Sequence, residues 1–459
     1  NGAAVATNAV AHAAVNWNAA IFLGGDGSGS QDPRRLTDGM LDDVSLFSRA
    51  LTAAEVQEIM GGLSDPAAAS SPTPDDGVID VPQDTLLSWK AGETAVSHKV
   101  YFGTSFDDVN DATQPAASQA ETTYDPEGLL DFGQTYYWRI DEVTADGTVI
   151  TGAVWSFTAE QFAYPIAGVK ATSPSTNQTG MGPMNTVNGS GLNEYDEHNA
   201  DLKNMWVATS AMPHTIQFEF DKVYKLDEMW VWNANSQLEP VMGFGAKTVA
   251  INCSTDGETW VPLEGVPEFA QGTGDATYTA DTKVDFGGAV AKYVRLTITA
   301  NWGGVTPQAS LSEVRFYQIP VQAREPEPAD SATEVALDTR LNWRPGREAT
   351  SHEVYFGADA NAVAEGTAAA ETVTDHRYTP ASMDFGTTYY WRVDEVGEAG
   401  TYAGDVWSFV SQEFALIEDF ESYNDDIEAE GTIWQAWTDG MTTEASGSQV
   451  GYDDSPFAE

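Results

Sequence analysis

The chain has 459 residues and carries 70 Asp+Glu against 21 Lys+Arg, a formal net charge of −49. An acidic surplus with no basic run argues against nucleic acid as a partner and against docking on an anionic membrane, since both need clustered Lys and Arg. Apolar residues make up 42% of the sequence, with 14 Trp, 17 Tyr and 19 Phe, so the acidity belongs to a folded, soluble, multi-domain protein and not to an aromatic-poor disordered tail.

The sequence opens on Asn1 rather than Met and stops in mid-pattern at Glu459, so it is expected to be an excerpt of a longer protein. A signal peptide, an anchor or a catalytic domain could lie outside it. No run of 18 apolar residues is present to span a membrane. Cys253 is the single cysteine, so no intrachain disulfide can form. It alternates with Val249 and Ile251, which reads as a buried, inert thiol.

Residues 1–63 look like the end of a domain. VNWNAAIFLGGDG is followed by GMLDDVSLFSRALTAAEVQEIMGG, in which Thr52 and Glu55 form a capping box before a short helix. Gly-x-x-Asp-Asp-Val, an aromatic, then Arg-Ala-Leu-Thr resembles the closing strands of a LamG-type, concanavalin-like jelly roll. Residues 64–76, rich in Pro, Ala, Ser and Asp, read as a semi-rigid linker.

Two copies of one unit follow, at 77–160 and 323–413. DTLLSWK, SHKVYFG, DFGQTYYWRIDEV and VWSF in the first answer DTRLNWR, SHEVYFG, DFGTTYYWRVDEV and VWSF in the second, at a near-constant offset. Short β-branched and aromatic runs separated by Gly/Asp turns predict strands. In TYYWRIDEV, alternation sets Tyr137, Arg139 and Asp141 opposite Tyr136, Trp138 and Ile140, as in a half-buried strand. The paired Trp89/Trp343, Trp138/Trp391 and Trp155/Trp407 read as core, and His98 and His352 as structural. Size, early Trp, central Tyr and late aromatic strand resemble a fibronectin type III domain, a sandwich family used as spacer or adhesion module. AREPEPADSATE at 323–334 reads as a second linker-like stretch leading into the second copy.

Residues 161–322 are also strand-rich. Ile216, Phe218 and Phe220 alternate with polar residues, as do Val294, Leu296 and Ile298. A polar loop ending at Trp206 precedes IQFEFDKVYKLDEMWVWN, then INCSTDGETW, KYVRLTIT and LSEVRFYQI. This order of features resembles the discoidin, or coagulation factor five/eight type C, domain. From residue 414 a further, truncated β jelly roll is expected, with Trp434, Trp437 and Tyr452.

No GxSxG, HExxH, CxxC or Walker loop occurs. Glu194-Tyr195-Asp196-Glu197 approaches the carboxylate spacing of jelly-roll glucanases but lacks the last Glu and lies in a Gly/Asn-rich loop, so no catalytic residue is assigned. The discoidin resemblance implies carbohydrate binding on loops at one tip of the sandwich. On that basis the ligand candidates are Glu194 and His198 in the first loop, Trp232, Asn233 and Asn235 after the WVWN strand, and Trp302 in NWGGVTPQ. Tyr195 and Phe244 stand beside them. Trp302, between Asn and Gly-Gly, has no obvious core to fill, whereas Trp232 could equally point into the sandwich. The resemblance also implies a structural Ca²⁺, with Asn188 in the slot where the family shows Asp, and Glu313 before the last strand.

The expected fold is therefore all-β, a chain of β-sandwiches and jelly rolls, resembling modular surface proteins of marine bacteria of the planctomycete type. The expected function is non-catalytic extracellular recognition of polysaccharide or glycoconjugate, several weak modules gaining avidity on one chain. Two alternatives stay open: an accessory region of a secreted polysaccharide-degrading enzyme, and a structural stalk. Neutral sugars suit so acidic a surface better than anionic ones. The oligomeric state is left open.

Overall fold

A computed structural model describes residues 66–415. The chain divides into two compact units, residues 1–161 and 162–459. The jelly-roll end expected at 1–63 and nearly all of the one expected from 414 lie outside the described residues. What is described is all-β apart from short helical turns.

In the first unit the order is β1 (Ser70–Thr73), β2 (Val78–Val81), β3 (Leu87–Lys90), β4 (Ala95–Gly103), α1 (Phe106–Asn110), β5 (Ala117–Gln119), β6 (Thr123–Tyr124), β7 (Thr135–Thr144), β8 (Val149–Ile150) and β9 (Val154–Ala159). Sheet β1-β3-β6 faces sheet β2-β9-β7-β4-β5, with β8 on β7. Pairing is antiparallel except where β2 runs parallel to β9. Leu87, Trp89, Val100, Trp138, Ile140, Trp155 and Phe157 fill the space between them. Trp138 meets Trp155 edge-on at 4.8 Å, a favoured arrangement for ring quadrupoles.

Two expectations change here. The stretch read as a linker supplies β1, with Ser70 opposite Lys90 and Thr73 opposite Ser88. A Pro-containing run suits an edge strand, because an edge tolerates a missing N–H donor. Strand β7 is also not half-buried, since Arg139 and Asp141 are buried on its outer face. Helix α1 covers them, and Arg139 donates to the carbonyls of Val109, Asn110 and Ala112, the open C-terminal end of α1. Asp141 holds the same guanidinium at 2.9 Å.

His98 is buried edge-on to Trp89, with Nδ1 against Glu142. The second Glu142 oxygen accepts Gly92 N–H at 3.0 Å, so the desolvated pair is satisfied on both sides. A second internal tie joins Tyr136, whose hydroxyl accepts Asp131 N–H at 2.9 Å.

The second unit begins with β10 (Tyr164–Pro165), β11 (Lys170–Thr172), β12 (Trp206–Ala208), β13 (His214–Asn233), α2 (Glu239–Met242), β14 (Ala246–Ser254), β15 (Val261–Pro262), β16 (Thr282–Asp285), β17 (Val290–Asn301) and β18 (Ala309–Gln318). Strand β13 serves both layers. Its first half pairs with β11 and β17, and its second half with β16 and β18, the register breaking between Glu219 and Tyr224. Such a break bends a long strand from one sheet into the other. Phe218, Phe220, Met229, Val231, Leu296 and Phe316 lie in the core between. Cys253 is buried there too, and burial pushes its thiol up to about 11, as an inert thiol requires.

The second copy of the repeat closes the described chain: β19 (Arg324–Glu327), β20 (Ala332–Val335), β21 (Leu341–Arg344), β22 (Ser351–Gly357), α3 (Ala360–Ala364), β23 (Ala370–Val373), β24 (Arg377–Tyr378), β25 (Thr388–Gly397), β26 (Gly400–Tyr402) and β27 (Trp407–Ser411). Its sheets, β19-β21-β24 and β20-β27-β25-β22-β23, repeat the first copy's topology. AREPEPADSATE is accordingly part of the fold, giving β19 and most of β20. The buried pair recurs as His352–Glu395, and the tyrosine tie as Tyr389 accepting Asp384 N–H at 2.7 Å.

This copy docks on the strand-rich domain before it. Lys225 Nζ lies 2.6 and 2.7 Å from the two Glu348 oxygens. The Arg347 guanidinium reaches the carbonyl of Phe162 and the hydroxyl of Tyr164. Arg324 shares that hydroxyl at 3.3 Å. The first copy has Glu93 and Thr94 where the second has Arg347 and Glu348, so these docking groups belong to the second copy alone.

Candidate functional site

Four loops meet at one end of the middle domain: 188–205, 234–245, 263–281 and 302–308. Strand β13 ends there on Trp232 and Asn233. The Asn233 amide donates to Ala246 O at 2.7 Å and Ala270 O at 2.6 Å, and its oxygen accepts Ala234 N–H. Asn235 donates to His198 O at 2.9 Å and Asp275 O at 2.6 Å and accepts Gly274 N–H at 2.8 Å. Both asparagines are fully buried and bracket neighbouring loops together. Their polar atoms satisfy loop backbone that would otherwise be stranded.

His198 is also buried. Its Nδ1 lies 2.7 Å from Asn199 O, and burial holds its pKa below the usual imidazole range, so the ring is neutral and donates there. Trp232 is buried beneath the first loop, its indole N–H donating to Asp196 O at 2.9 Å. Of the six proposed ligand residues, the structure therefore places His198, Trp232, Asn233 and Asn235 inside the loop cluster. There they shape the surface without forming it.

Glu194 and Trp302 stand outside. Glu194 is exposed in a turn whose ends are tied by Asn193, the oxygen of which accepts the N–H groups of Tyr195 and Glu197. Trp302 is 36% exposed. Its indole N–H donates to Phe269 O at 3.0 Å and its backbone N–H to Gly245 O at 3.2 Å, so the ring is held at a fixed tilt. Lys247 Nζ lies 4.6 Å from the ring centroid, over one face.

The Trp302 loop sits against the end of α2. Gly243, at φ 63°, ends that helix in the left-handed conformation, and its N–H reaches Glu239 O. Gly303 N–H then donates to Gly243 O at 2.8 Å. A Cβ on Gly303 would lie 2.0 Å from Met242 O, so only glycine lets the two loops approach this closely.

Two features were missed in the sequence. Arg315 clamps Asp196 with bonds of 2.7 and 2.8 Å, pinning the first loop over Trp232. Glu239 is fully buried, and its carboxyl accepts the N–H groups of Phe244 and Gly245 at 2.9 and 3.0 Å. Burial outweighs these donors and pushes its pKa up to about 7. An Asp or Glu preceding a Pro-initiated turn was the available signal for Glu239. Arg315 carried none, because strand alternation alone makes it a solvated residue.

Of the two proposed metal ligands, Glu313 contacts the backbone next to Asn188, whose side chain turns to its own loop. Glu313 is buried on β18, and both its oxygens lie 3.2 Å from Gly189 N–H, next to Asn188. Burial pushes its carboxyl up to about 8. Asn188 is exposed, and its oxygen accepts Ser190 N–H at 2.9 Å. Among the described residues no group of three or more His, Cys, Asp or Glu side chains converges on one point.

Residues 169–314 match the F5/8 type C domain. The match leaves the two repeats and both ends of the chain uncovered. Among solved structures, the chain is similar to a CBM32 module of a GH31 protein bound to GalNAc, at 16% identity and a TM-score of 0.25, covering 34% of this chain and 99% of that one. It is also similar to the family 32 module of C. perfringens NanJ in complex with galactose, at 16% identity and a TM-score of 0.25, covering 34% and 98%. A third is the CBM32 of AlyQ in complex with 4,5-unsaturated mannuronic acid, at 19% identity and 0.22, covering 34% and 96%. No curated protein matches the chain. No helix among the described residues is long and apolar enough to cross a membrane.

Proposed function

We propose that the F5/8 type C domain recognises carbohydrate without catalysis, as one module of an extracellular surface protein in which the two repeats are spacers. The observation that carries this reading is Trp302, a half-exposed indole fixed at the loop tip by Phe269 O. Sugars offer apolar C–H faces that stack on such rings. The spacer role is supported by the two-sheet topology of each repeat and by Tyr136 and Tyr389. Each of these hydroxyls is bonded five residues upstream, as in the fibronectin-like tyrosine corner. In this reading a LamG-like end precedes the repeats and a further jelly roll follows them.

A structural Ca²⁺ at Asn188 and Glu313 belongs to the same proposal. Ca²⁺ takes hard oxygen ligands, and Glu313 offers a buried carboxyl against the Gly189 backbone beside Asn188. With Asn188 neutral, Glu313 would supply the one charged ligand of such a site.

The test is a glycan array with the whole chain and its Trp302→Ala variant. Binding by the wild type to neutral glycans, lost in the variant, is the expected result. No binding by the wild type across plant, algal and animal glycans would overturn the reading.

A further inference from the structure

The amide side chains that hold the tip together are already committed. Asn233 and Asn235 hold loop carbonyls, as described. Asn301 donates to Thr306 O and Gln308 O and accepts Gly304 N–H at 2.7 Å. Gln271 donates to Glu239 O at 2.8 Å, and the Glu239 carboxyl is taken up by its own loop. Apolar side chains project on the same two loops: Leu238 is 58% exposed, Val241 83%, Met242 40% and Val305 90%. The touching backbones of Met242–Gly243 and Trp302–Gly303 place these side chains on one tip. Isolated exposed apolar residues are ordinary, but several on two loops whose backbones touch suit an interaction site.

We infer that this tip takes saccharides carrying methyl groups, namely 6-deoxy and O-methylated sugars, with Trp302 under the ring and Val241 and Val305 against the methyls. This deepens the carbohydrate reading and rests on it. The chemistry is that of unpaired polarity. A hydroxymethyl pressed on a valine surface loses its water partners and gains none, whereas a methyl loses nothing and buries area. An anionic lipid surface is disfavoured by charge. Residues 234–246 and 300–308 contain no Lys or Arg, Lys247 lies over Trp302 and 3.9 Å from Glu268, and the chain carries −49.

The experiment measures binding of the whole chain to methyl β-D-fucoside and methyl β-D-galactoside, which differ by one hydroxyl. One buried methyl-sized group implies a preference of about fourfold for the deoxy sugar. In the Val241→Ser/Val305→Ser double variant the preference should vanish while Trp302-dependent binding to the galactoside remains. Both valines are so exposed that the fold does not depend on them. Trp302-dependent binding with equal affinity for the two sugars overturns this inference and leaves the carbohydrate reading standing. Binding of neither sugar, nor of any glycan, overturns both. Capture by neutral phosphatidylcholine vesicles that the double variant loses would assign the tip to lipid and overturn the inference likewise.

Discussion

Replacing Glu239 by Gln should flatten the pH dependence of stability of the F5/8 type C domain. An ordinary glutamate ionises near 4.5, and in the fold this one is pushed up to about 7. Between those values the folded state binds more protons than the unfolded state. Stability therefore falls as pH rises from 4.5 to 7, and this contribution is flat on either side of that window. At about 1.36 kcal/mol per pH unit the full effect is at most about 3 kcal/mol. The N–H groups of Phe244 and Gly245 favour the ionised form, so the effect is what burial leaves after their opposition. Denaturant titrations followed by hydrogen exchange at residues 239–245 isolate this loop from the repeats. The wild-type loop should lose protection from about pH 5 to pH 7, and Glu239→Gln should lose much less. An identical slope in both proteins would refute the argument that desolvation governs this carboxyl.

The tyrosine ties make a second prediction: Tyr136→Phe and Tyr389→Phe should each destabilise their own repeat by about 1 kcal/mol, seen as a lower urea midpoint, because one buried hydrogen bond is removed with little change of volume. Between the F5/8 type C domain and the second repeat, Lys225→Glu and Glu348→Lys should each lower the melting temperature of their common unit. The double exchange should restore most of the loss, a coupling of about 0.5–1 kcal/mol for a partly exposed pair. The proposed cation predicts a lower melting temperature in EDTA, a difference that Glu313→Gln removes. An unchanged melting temperature in EDTA would count against the site.

The repeats were legible because large residues were constrained twice. Trp89, Trp138 and Trp155 recur as Trp343, Trp391 and Trp407, and all six are buried. The β1 strand was not legible, because Ser70–Thr73 has the composition of a linker and becomes a strand only through β3. The strand carrying Arg139 was read as half-buried because period-two alternation cannot see a helix that arrives from elsewhere in the chain to cover it. The same limit applied at the tip. The sequence left Trp232 open between the sandwich and the surface; it ends a strand under a loop clamped by Arg315, whereas Trp302 follows the end of β17, clear of that loop. Asn233 and Asn235 have the polarity expected of sugar contacts. That polarity is spent on loop carbonyls, a distinction that depends on which backbone groups lie within about 3 Å.

The most direct test of the carbohydrate reading is a calorimetric titration of a neutral glycan into the whole chain and into Trp302→Ala, with melting temperatures recorded for both. The account predicts binding by the wild type, weakened by about tenfold or more in the variant as the stacking surface is lost, with closely similar melting temperatures. Equal affinity of the two proteins, or no heat of binding from the wild type with any neutral glycan, would contradict it.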